Sequence, residues 1–186
     1  VENGTVNIND GEIKGKVSNY GTGTINVNAG TISASSDGIY NDENGTVNIN
    51  GGEIKGEVSN YGTGTINVNA GTINSSSNGV YNKNGTVNVN GGTVSASKCG
   101  VYNIDSGTIN VNGGTIISST GISNKKGTII IGKDDGKINL NTPIIKGKYA
   151  ISLRALGADI RFYDGILEGT NSAIVSPTNT VFEYSE

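Results

Sequence analysis

The chain has 186 residues, a formal net charge of −3 and a hydrophobic content of 33%, which is low for a compact globular domain of this size. Without a basic patch the acidic balance argues against nucleic-acid binding, no apolar run approaches a membrane span, and a single cysteine excludes an intrachain disulfide framework. A low apolar content suits a solenoid, because each coil buries a thin core against its neighbours.

A short motif, Gly-Thr-Ile/Val-Asn-Ile/Val-Asn, returns every 19 to 22 residues through the first two-thirds of the chain. Such a fixed period is the signature of a solenoid. Residues 4–44 and 45–84 are nearly one repeat duplicated, which indicates growth by doubling of a two-coil unit. The copies, of which the last is weaker, begin at Gly4, Gly23, Gly45, Gly64, Gly85, Gly107 and Gly127.

Each coil is predicted to contain three short strands. In one early coil Ile25 and Val27 alternate with polar residues, so residues 24–28 form a strand with one buried face. Residues 31–35 and 39–41 form the second and third strands. Glycine and β-branched residues dominate without a helical apolar stripe. We therefore expect an all-β fold, a right-handed single-stranded parallel β-helix of about eight coils, roughly 40 Å long at about 4.8 Å per coil.

The third predicted strand ends in asparagine in six successive coils. By alternation this asparagine faces inward, like the aliphatic residue two positions earlier, and an inward polar group must be hydrogen-bonded. Stacked asparagine side chains can satisfy one another and the turn backbone. The predicted structural ladder consists of Asn19, Asn41, Asn60, Asn82, Asn103 and Asn124.

An outward file of threonines is predicted on the first strand of each coil, and outward asparagines flank it. Ice-binding β-solenoids order water with regular threonine arrays, although they usually carry Thr-x-Thr where this chain has asparagine. The other interpretation is that threonine suits outward strand positions and that asparagines hydrogen-bond along the stack. The threonine file consists of Thr5, Thr24, Thr46, Thr65, Thr86, Thr108 and Thr128.

Tyrosines give the most specific hint of a binding surface. Tyr40, Tyr81 and Tyr102 occupy equivalent outward sites, and Tyr20 and Tyr61 lie two positions further along in the alternate coils. Exposed aromatic rows can stack on sugar rings and are enriched at interfaces, but they can equally pack on the solenoid or on a partner chain. These five tyrosines are the candidate ligand-binding residues.

Groups for catalysis or metal binding are sparse. Polysaccharide-active β-helices need clustered carboxylates, commonly with Ca²⁺ and an arginine or lysine base. Histidine is absent, and the equivalent Glu12 and Glu53 lie two coils apart. We therefore predict no enzyme activity, no metal and no cofactor, and we read Cys99 as an inert thiol in a loop. The single mixed-charge group comprises Arg154, Asp159, Arg161 and Asp164, where a solvated salt bridge is the simpler interpretation.

The repeat degrades after Asn124. Residues 133–136 predict a tight charged turn, and residues 137–141 an excursion beside the preceding strand. Residues 142–147 and 149–153 then resume the second and third strands of a coil.

The division predicted is residues 1–157 as solenoid repeats and residues 158–186 as the last coil with a C-terminal cap. Pro177 would stop the coil, and residues 181–184 would lie over the open end of the core. Because residue 1 falls within a repeat, we expect the repeats to be part of a longer array.

Three segments resemble a known group of proteins: residues 107–116 (GTINVNGGTI), 127–136 (GTIIIGKDDG) and 162–169 (FYDGILEG). They are similar to the repeats of large repetitive surface proteins of Gram-positive gut bacteria, described as adhesin-like with pectate-lyase-like β-helical regions. The resemblance covers essentially the whole chain and carries no catalytic motif. It implies secretion, display at the cell surface and a structural or adhesive role.

The function expected is a non-catalytic stalk or adhesive module that binds a repetitive ligand through many weak contacts. Glycans or host surface proteins are the expected partners, together with end-to-end or lateral self-association, and without nucleic acid or membrane insertion. A polysaccharide lyase or hydrolase and an ice-binding solenoid are the alternatives.

Overall fold

The computed structural model of the chain describes residues 1–137, 139, 141–177 and 183–184, with side chains up to residue 177. All regular structure in these residues is β, and none of them lies in a helix that could cross a membrane. The strands of the first half are β1 (Thr5–Ile8), β2 (Glu12–Lys14), β3 (Val17–Asn19), β4 (Thr24–Val27), β5 (Thr31–Asn41), β6 (Thr46–Ile49), β7 (Glu53–Asn60), β8 (Thr65–Val68), β9 (Thr72–Ser75) and β10 (Val80–Asn82). Those of the second half are β11 (Thr86–Val89), β12 (Thr93–Asn103), β13 (Thr108–Val111), β14 (Thr115–Asn124), β15 (Gly127–Ile131), β16 (Ile144–Leu153), β17 (Ala158–Phe162), β18 (Ile166–Val175) and β19 (Glu183–Tyr184).

The strands form two parallel sheets that share every coil. The first sheet has the order β1-β4-β6-β8-β11-β13-β15-β17-β19, so each strand pairs with the equivalent strand one coil away. The second sheet collects the remaining strands in the same stacked order. Equivalent residues pair throughout, as where Thr24 lies between Thr5 and Thr46. The prediction of a parallel β-helix built from stacked coils is confirmed.

The second and third strands of a coil differ from the sequence prediction in most coils. They are separate in β2 and β3 and in β9 and β10, but elsewhere they join into one strand such as β5. The extra residues of the longer coils form bulges, because Ser33 pairs with Lys55 and Asp37 pairs with Glu57. A bulge absorbs additional residues while the hydrogen bonds to the neighbouring coil continue on both sides of it.

The core is a single column of isoleucine and valine between the two sheets. Ile25 and Val27 of β4 are fully buried, as are Ile32 and Ile39 of β5, and the same positions are buried in the following coils. Alternation along each strand directs these side chains inward and the intervening polar ones outward. Stacking of the coils therefore provides a buried core although the chain has few hydrophobic residues for a globular domain.

The coils continue beyond the regular repeats. Ile144 pairs with Thr115, and Ile151 pairs with Ile122, which confirms that β16 resumes the second and third strand positions. In the region of the predicted excursion, the described residues 133–137, 139 and 141 form no strand, and residues 138 and 140 lie outside the described residues. The expected pairing beside the preceding strand is therefore not observed there.

The last coil consists of β17 and β18, and β18 ends two residues before Pro177. The short strand β19 then pairs in parallel with β17 and extends the first sheet. The predicted cap includes residues 181 and 182, which lie outside the described residues.

Candidate functional site

The predicted inner asparagine ladder is present along six coils. Each member is fully buried, and its side-chain nitrogen donates to the side-chain oxygen of the next member at 2.8–3.0 Å. The same nitrogen donates to a carbonyl in the turn that follows its strand, as Asn41 does to Gly45 O at 2.8 Å. At the next register position, Leu153 pairs with Asn124 and ends the ladder. This ladder is a structural device and is closed to any ligand.

The outward threonine file is also in register on the first sheet, from Thr5 to Thr128, and Asp159 follows Thr128. Two files of asparagine run beside it. In each file the side-chain amides of successive coils are hydrogen-bonded at 2.8–2.9 Å, as between Asn26 and Asn7 and between Asn28 and Asn9. Both outward asparagine positions of the first strand were predicted from the sequence, and so was their hydrogen bonding along the stack as one interpretation.

The five candidate tyrosines form one continuous row on the outside of the rod. Successive ring centroids lie 5.5 Å apart for Tyr20–Tyr40, 5.2 Å for Tyr40–Tyr61, 5.0 Å for Tyr61–Tyr81 and 6.0 Å for Tyr81–Tyr102. These separations are typical of interacting aromatic pairs. The structure therefore unites the two sets of tyrosines that the sequence analysis kept apart. We call these five residues the tyrosine row.

Serine explains how tyrosines from two sequence positions reach one row. Tyr40 and Tyr81 stand opposite Ser18 and Ser59 in the strand register. In the coils of Ser18 and Ser59, a tyrosine two residues later takes the place in the row. In the first four coils the sequence therefore alternates between serine followed two residues later by tyrosine and tyrosine at the serine position itself. This alternation is the signal that could have predicted the row.

The row is partly open to solvent. Tyr20 and Tyr61 are 53% and 38% exposed, and Tyr40, Tyr81 and Tyr102 are half-buried. The Lys16 ammonium lies 4.7 Å from the Tyr40 ring centroid, within the range of a cation–π contact. A ligand can therefore reach the exposed parts of these side chains.

Burial and neighbouring carboxylates raise the pKa of three phenols of the row. Burial raises the pKa of Tyr40 above its usual value, and the Asp42 carboxylate, which accepts a hydrogen bond from the Tyr40 hydroxyl at 3.3 Å, raises it further. Burial likewise raises the pKa of Tyr61, with a contribution from Asp37, and the pKa of Tyr81. These three phenols are therefore uncharged groups at neutral pH that can form hydrogen bonds.

Charged side chains divide the surroundings of the row into an acidic part and a basic part. Asp42 contacts Tyr40, and Ser59 Oγ donates to Asp37 at 2.7 Å and lies 3.3 Å from Glu57. Toward the other end, two grooves of about 380 and 470 Å³ border Tyr81 and Tyr102. The positively charged residues lining these grooves are Lys83, Lys98, Lys125, Lys126 and Arg154.

The other candidate charged residues form ordinary surface contacts. Thr31 separates Glu12 from Glu53 in the register, as predicted, and each glutamate pairs with the lysine two residues later, at 3.6 and 3.3 Å. No group of three or more His, Cys, Asp or Glu side chains in the described residues is arranged to hold a metal ion.

The four charged residues near the C-terminal end are not brought together as one site. Arg161 pairs with Asp159 at 3.4 Å, whereas the Arg154 guanidinium lies 6.0 Å from the Tyr102 ring centroid. Asp164 is buried close to Gly132. A salt bridge accounts for one pair, and Arg154 belongs to the surroundings of the tyrosine row.

Cys99 is a free, buried thiol within β12, so its expected place in a loop is wrong. It pairs with Thr120 of β14, because the strand hydrogen bonding continues through the bulge of this coil. Burial raises the pKa of the Cys99 thiol, against an opposing effect of Arg154. The thiol is therefore protonated at neutral pH, as an unreactive cysteine is.

No protein-family profile, no curated protein and no solved structure gives a significant match to this chain.

Proposed function

We propose that this chain is a non-catalytic, rod-shaped adhesive module of an extracellular surface protein, and that it binds glycans through the tyrosine row. The observation that carries the proposal is the continuous stack of five rings, with centroids 5.0–6.0 Å apart, on an otherwise polar rod. The resemblance to repetitive bacterial surface proteins supports the extracellular setting. A stalk that only projects another domain would not need the row.

The physical basis of binding is repetition. A sugar ring offers an apolar C–H face that packs on an aromatic ring, and its hydroxyls find partners in the phenol groups. One such contact is weak, but a polymer that engages several tyrosines at once gains effective concentration for each further contact. A rigid solenoid presents these contacts at fixed spacing, so little ordering is needed on binding.

Binding to a panel of polysaccharides, with mass analysis of any products, tests this proposal. The variants Tyr40→Ser, Tyr81→Ser and Tyr102→Ser place at each site the residue found opposite it in a neighbouring coil, so the strand is preserved. We expect each variant to weaken binding of a polymeric glycan, and the triple variant to lower affinity by about tenfold or more.

The control is Tyr149→Ser, because Tyr149 lies on β16 and is not part of the row. It should retain the affinity of the parent chain. Equal binding by the triple variant and the parent would refute a role for the row, and release of oligosaccharides would replace the adhesive module with a polysaccharide lyase or hydrolase.

Ice binding is a second candidate, favoured by the threonine file, which is in register over seven coils of the first sheet. The measurement is thermal hysteresis, the gap between freezing and melting temperatures. Ice-binding solenoids usually have a second threonine where this chain has asparagine, and these asparagines form hydrogen bonds with one another. We expect no hysteresis; a gap abolished by Thr65→Leu would establish the alternative.

A further inference from the structure

The basic end of the tyrosine row is a local reversal of the charge of the molecule. The chain carries a formal net charge of −3, yet the first groove holds three lysines against one carboxylate. Lys126 pairs with that carboxylate, Asp105, at 3.7 Å. Within the described part of the chain, Lys83 and Lys125 form no salt bridge. Two ammonium groups of this groove are thus available to an anion.

The same groove has an apolar floor. Tyr81, Ile104, Ala155 and Leu156 line it together with the lysines, and Leu156 is 73% exposed. An exposed leucine beside a tyrosine of the row forms an apolar surface next to free ammonium groups. A ligand that fits must have an apolar face and a negative charge at its edge.

The second groove repeats this combination on the other side of the basic end. Tyr102, Lys98 and Arg154 line it with polar side chains and with Cys99, and it contains no carboxylate. The position of Arg154 over the Tyr102 ring, 6.0 Å from the centroid, keeps the guanidinium beside the row. Two basic grooves therefore border the last two tyrosines.

Resting on the function proposed above, we propose that the basic end of the tyrosine row binds carboxylated sugars, so that the ligand of the module is an acidic glycan. The carboxylate contacts Lys83 and Lys125, and the C–H face of the sugar packs on Tyr81 and Leu156. Charge-assisted hydrogen bonds from ammonium groups to carboxylate are stronger than neutral ones. The neighbouring sugars of the polymer continue along the row.

A nucleic acid fits this surface less well. It carries a negative phosphate at every nucleotide, and the other part of the row is bordered by Asp37, Asp42 and Glu57. Like charges there would repel a uniformly charged polyanion of this length. An acidic glycan can place its carboxylates at the basic end and uncharged sugars beside the acidic part.

The test compares carboxylated glycans with their neutral esters. Hyaluronan oligosaccharides, in which carboxylated sugars alternate with uncharged ones, are titrated against the full chain, beside their carboxyl methyl esters and beside a single-stranded oligonucleotide of similar length. We expect the acids to bind at least about tenfold tighter than the esters, since the contacts of Lys83 and Lys125 act together. The triple variant Lys83→Gln, Lys125→Gln and Lys126→Gln should lose this preference.

The matched control is the triple variant Lys14→Gln, Lys55→Gln and Lys148→Gln, which changes the net charge equally but leaves the grooves intact; it should keep the preference. Equal affinity for acids and esters would overturn the carboxylate site, while neutral binding that depends on Tyr40 would leave the proposed function standing. Oligonucleotide binding as tight as glycan binding would identify a nonspecific polyanion surface and would also overturn it. Loss of all glycan binding in the parent chain would overturn both proposals.

Discussion

At the scale of single residues, the inner asparagine ladder determines which changes the rod tolerates. Asn60 donates to Asn82 Oδ1 and to Gly64 O, and accepts from Asn41, entirely out of contact with solvent. Buried polar groups that lose a partner bear their full desolvation cost. The ladder is therefore stabilising only as an unbroken series.

Replacing Asn60 by alanine is expected to destabilise the chain by about 3 kcal/mol, because groups on both neighbouring coils and a turn carbonyl lose their partners. The control is Asn50→Ala in an outward file, where water replaces the lost partners and the effect should stay within about 0.5 kcal/mol. Urea unfolding measures both. Equal losses in the two variants would contradict a special role of the buried ladder.

The phenols of Tyr40, Tyr61 and Tyr81 predict a loss of stability at alkaline pH. Their folded pKa values are raised, chiefly by burial, so stability is fully present below the unfolded pKa of about 10 and falls as pH rises through the folded pKa. Phenolate absorbance should show tyrosines that titrate late. Asp42→Asn should lower the Tyr40 pKa part of the way, because burial remains; an unchanged titration would show that Asp42 does not act on Tyr40.

At the scale of elements, the first strand of each coil and the segment between the second and third strands differ in how well they tolerate a change of length. Strands β4, β6 and β8 have one length and pair residue for residue. Between Ser33 and Asp37 three residues lie opposite the single Gly56. Coil length therefore varies where a bulge can absorb it, and not where inward alternation would be lost.

Deleting Ser35 and Ser36 should leave the fold intact and change stability by no more than about 1 kcal/mol. Both side chains are exposed. After the deletion a single residue lies opposite Gly56, and the other side chains of β5 keep their inward or outward orientation. Deleting Asn26 alone should unfold the local coils, since a one-residue shift turns Val27 outward. Circular dichroism during thermal unfolding measures the stability of both deletion variants. Similar losses of stability in the two variants would contradict the different tolerance of the two segments.

Most of the fold was predictable because it follows from local alternation. The alternation of Ile25 and Val27 with polar residues predicts their burial, and the recurrence of asparagine at the end of the third strand predicts the ladder. The tyrosine row was predictable only in part, since Tyr20 and Tyr61 reach it through the turn after the strand. The basic end was not predictable, because Lys83, Lys125 and Leu156 come from three different coils and meet only when the coils stack.

At the scale of the whole molecule, stability is the sum of coils and of contacts between neighbouring coils. The 19- and 21-residue coils at Gly45 and Gly64 form a unit whose two ends match in register. The tyrosine row follows the same repetition, with Tyr61 and Tyr81 in this unit. Rod length, core and tyrosine row therefore grow together.

A second copy of residues 45–84, inserted after residue 84, should raise the denaturation midpoint and increase the dependence of unfolding free energy on denaturant, because more surface is buried. It should also lengthen the tyrosine row and tighten binding of polymeric glycan. The control carries serine in place of Tyr61 and Tyr81 of the added copy, which should keep the stability gain without the gain in affinity. An affinity gain in the control would show that the row is not the binding surface.

The inner ladder also gives the rod a direction. Every amide from Asn19 to Asn103 donates toward the following coil, and the bond to a turn carbonyl fixes that choice, since a carbonyl can only accept. One amide cannot reverse unless all of them do. The two ends of the ladder are therefore chemically different. Within the described residues Asn19 Oδ1 accepts no hydrogen bond, whereas Asn124 pairs with the apolar Leu153 of the next coil. A further coil with asparagine at this position can therefore extend the ladder only on the side of Asn19, by donating to Asn19 Oδ1, because Leu153 closes the other end.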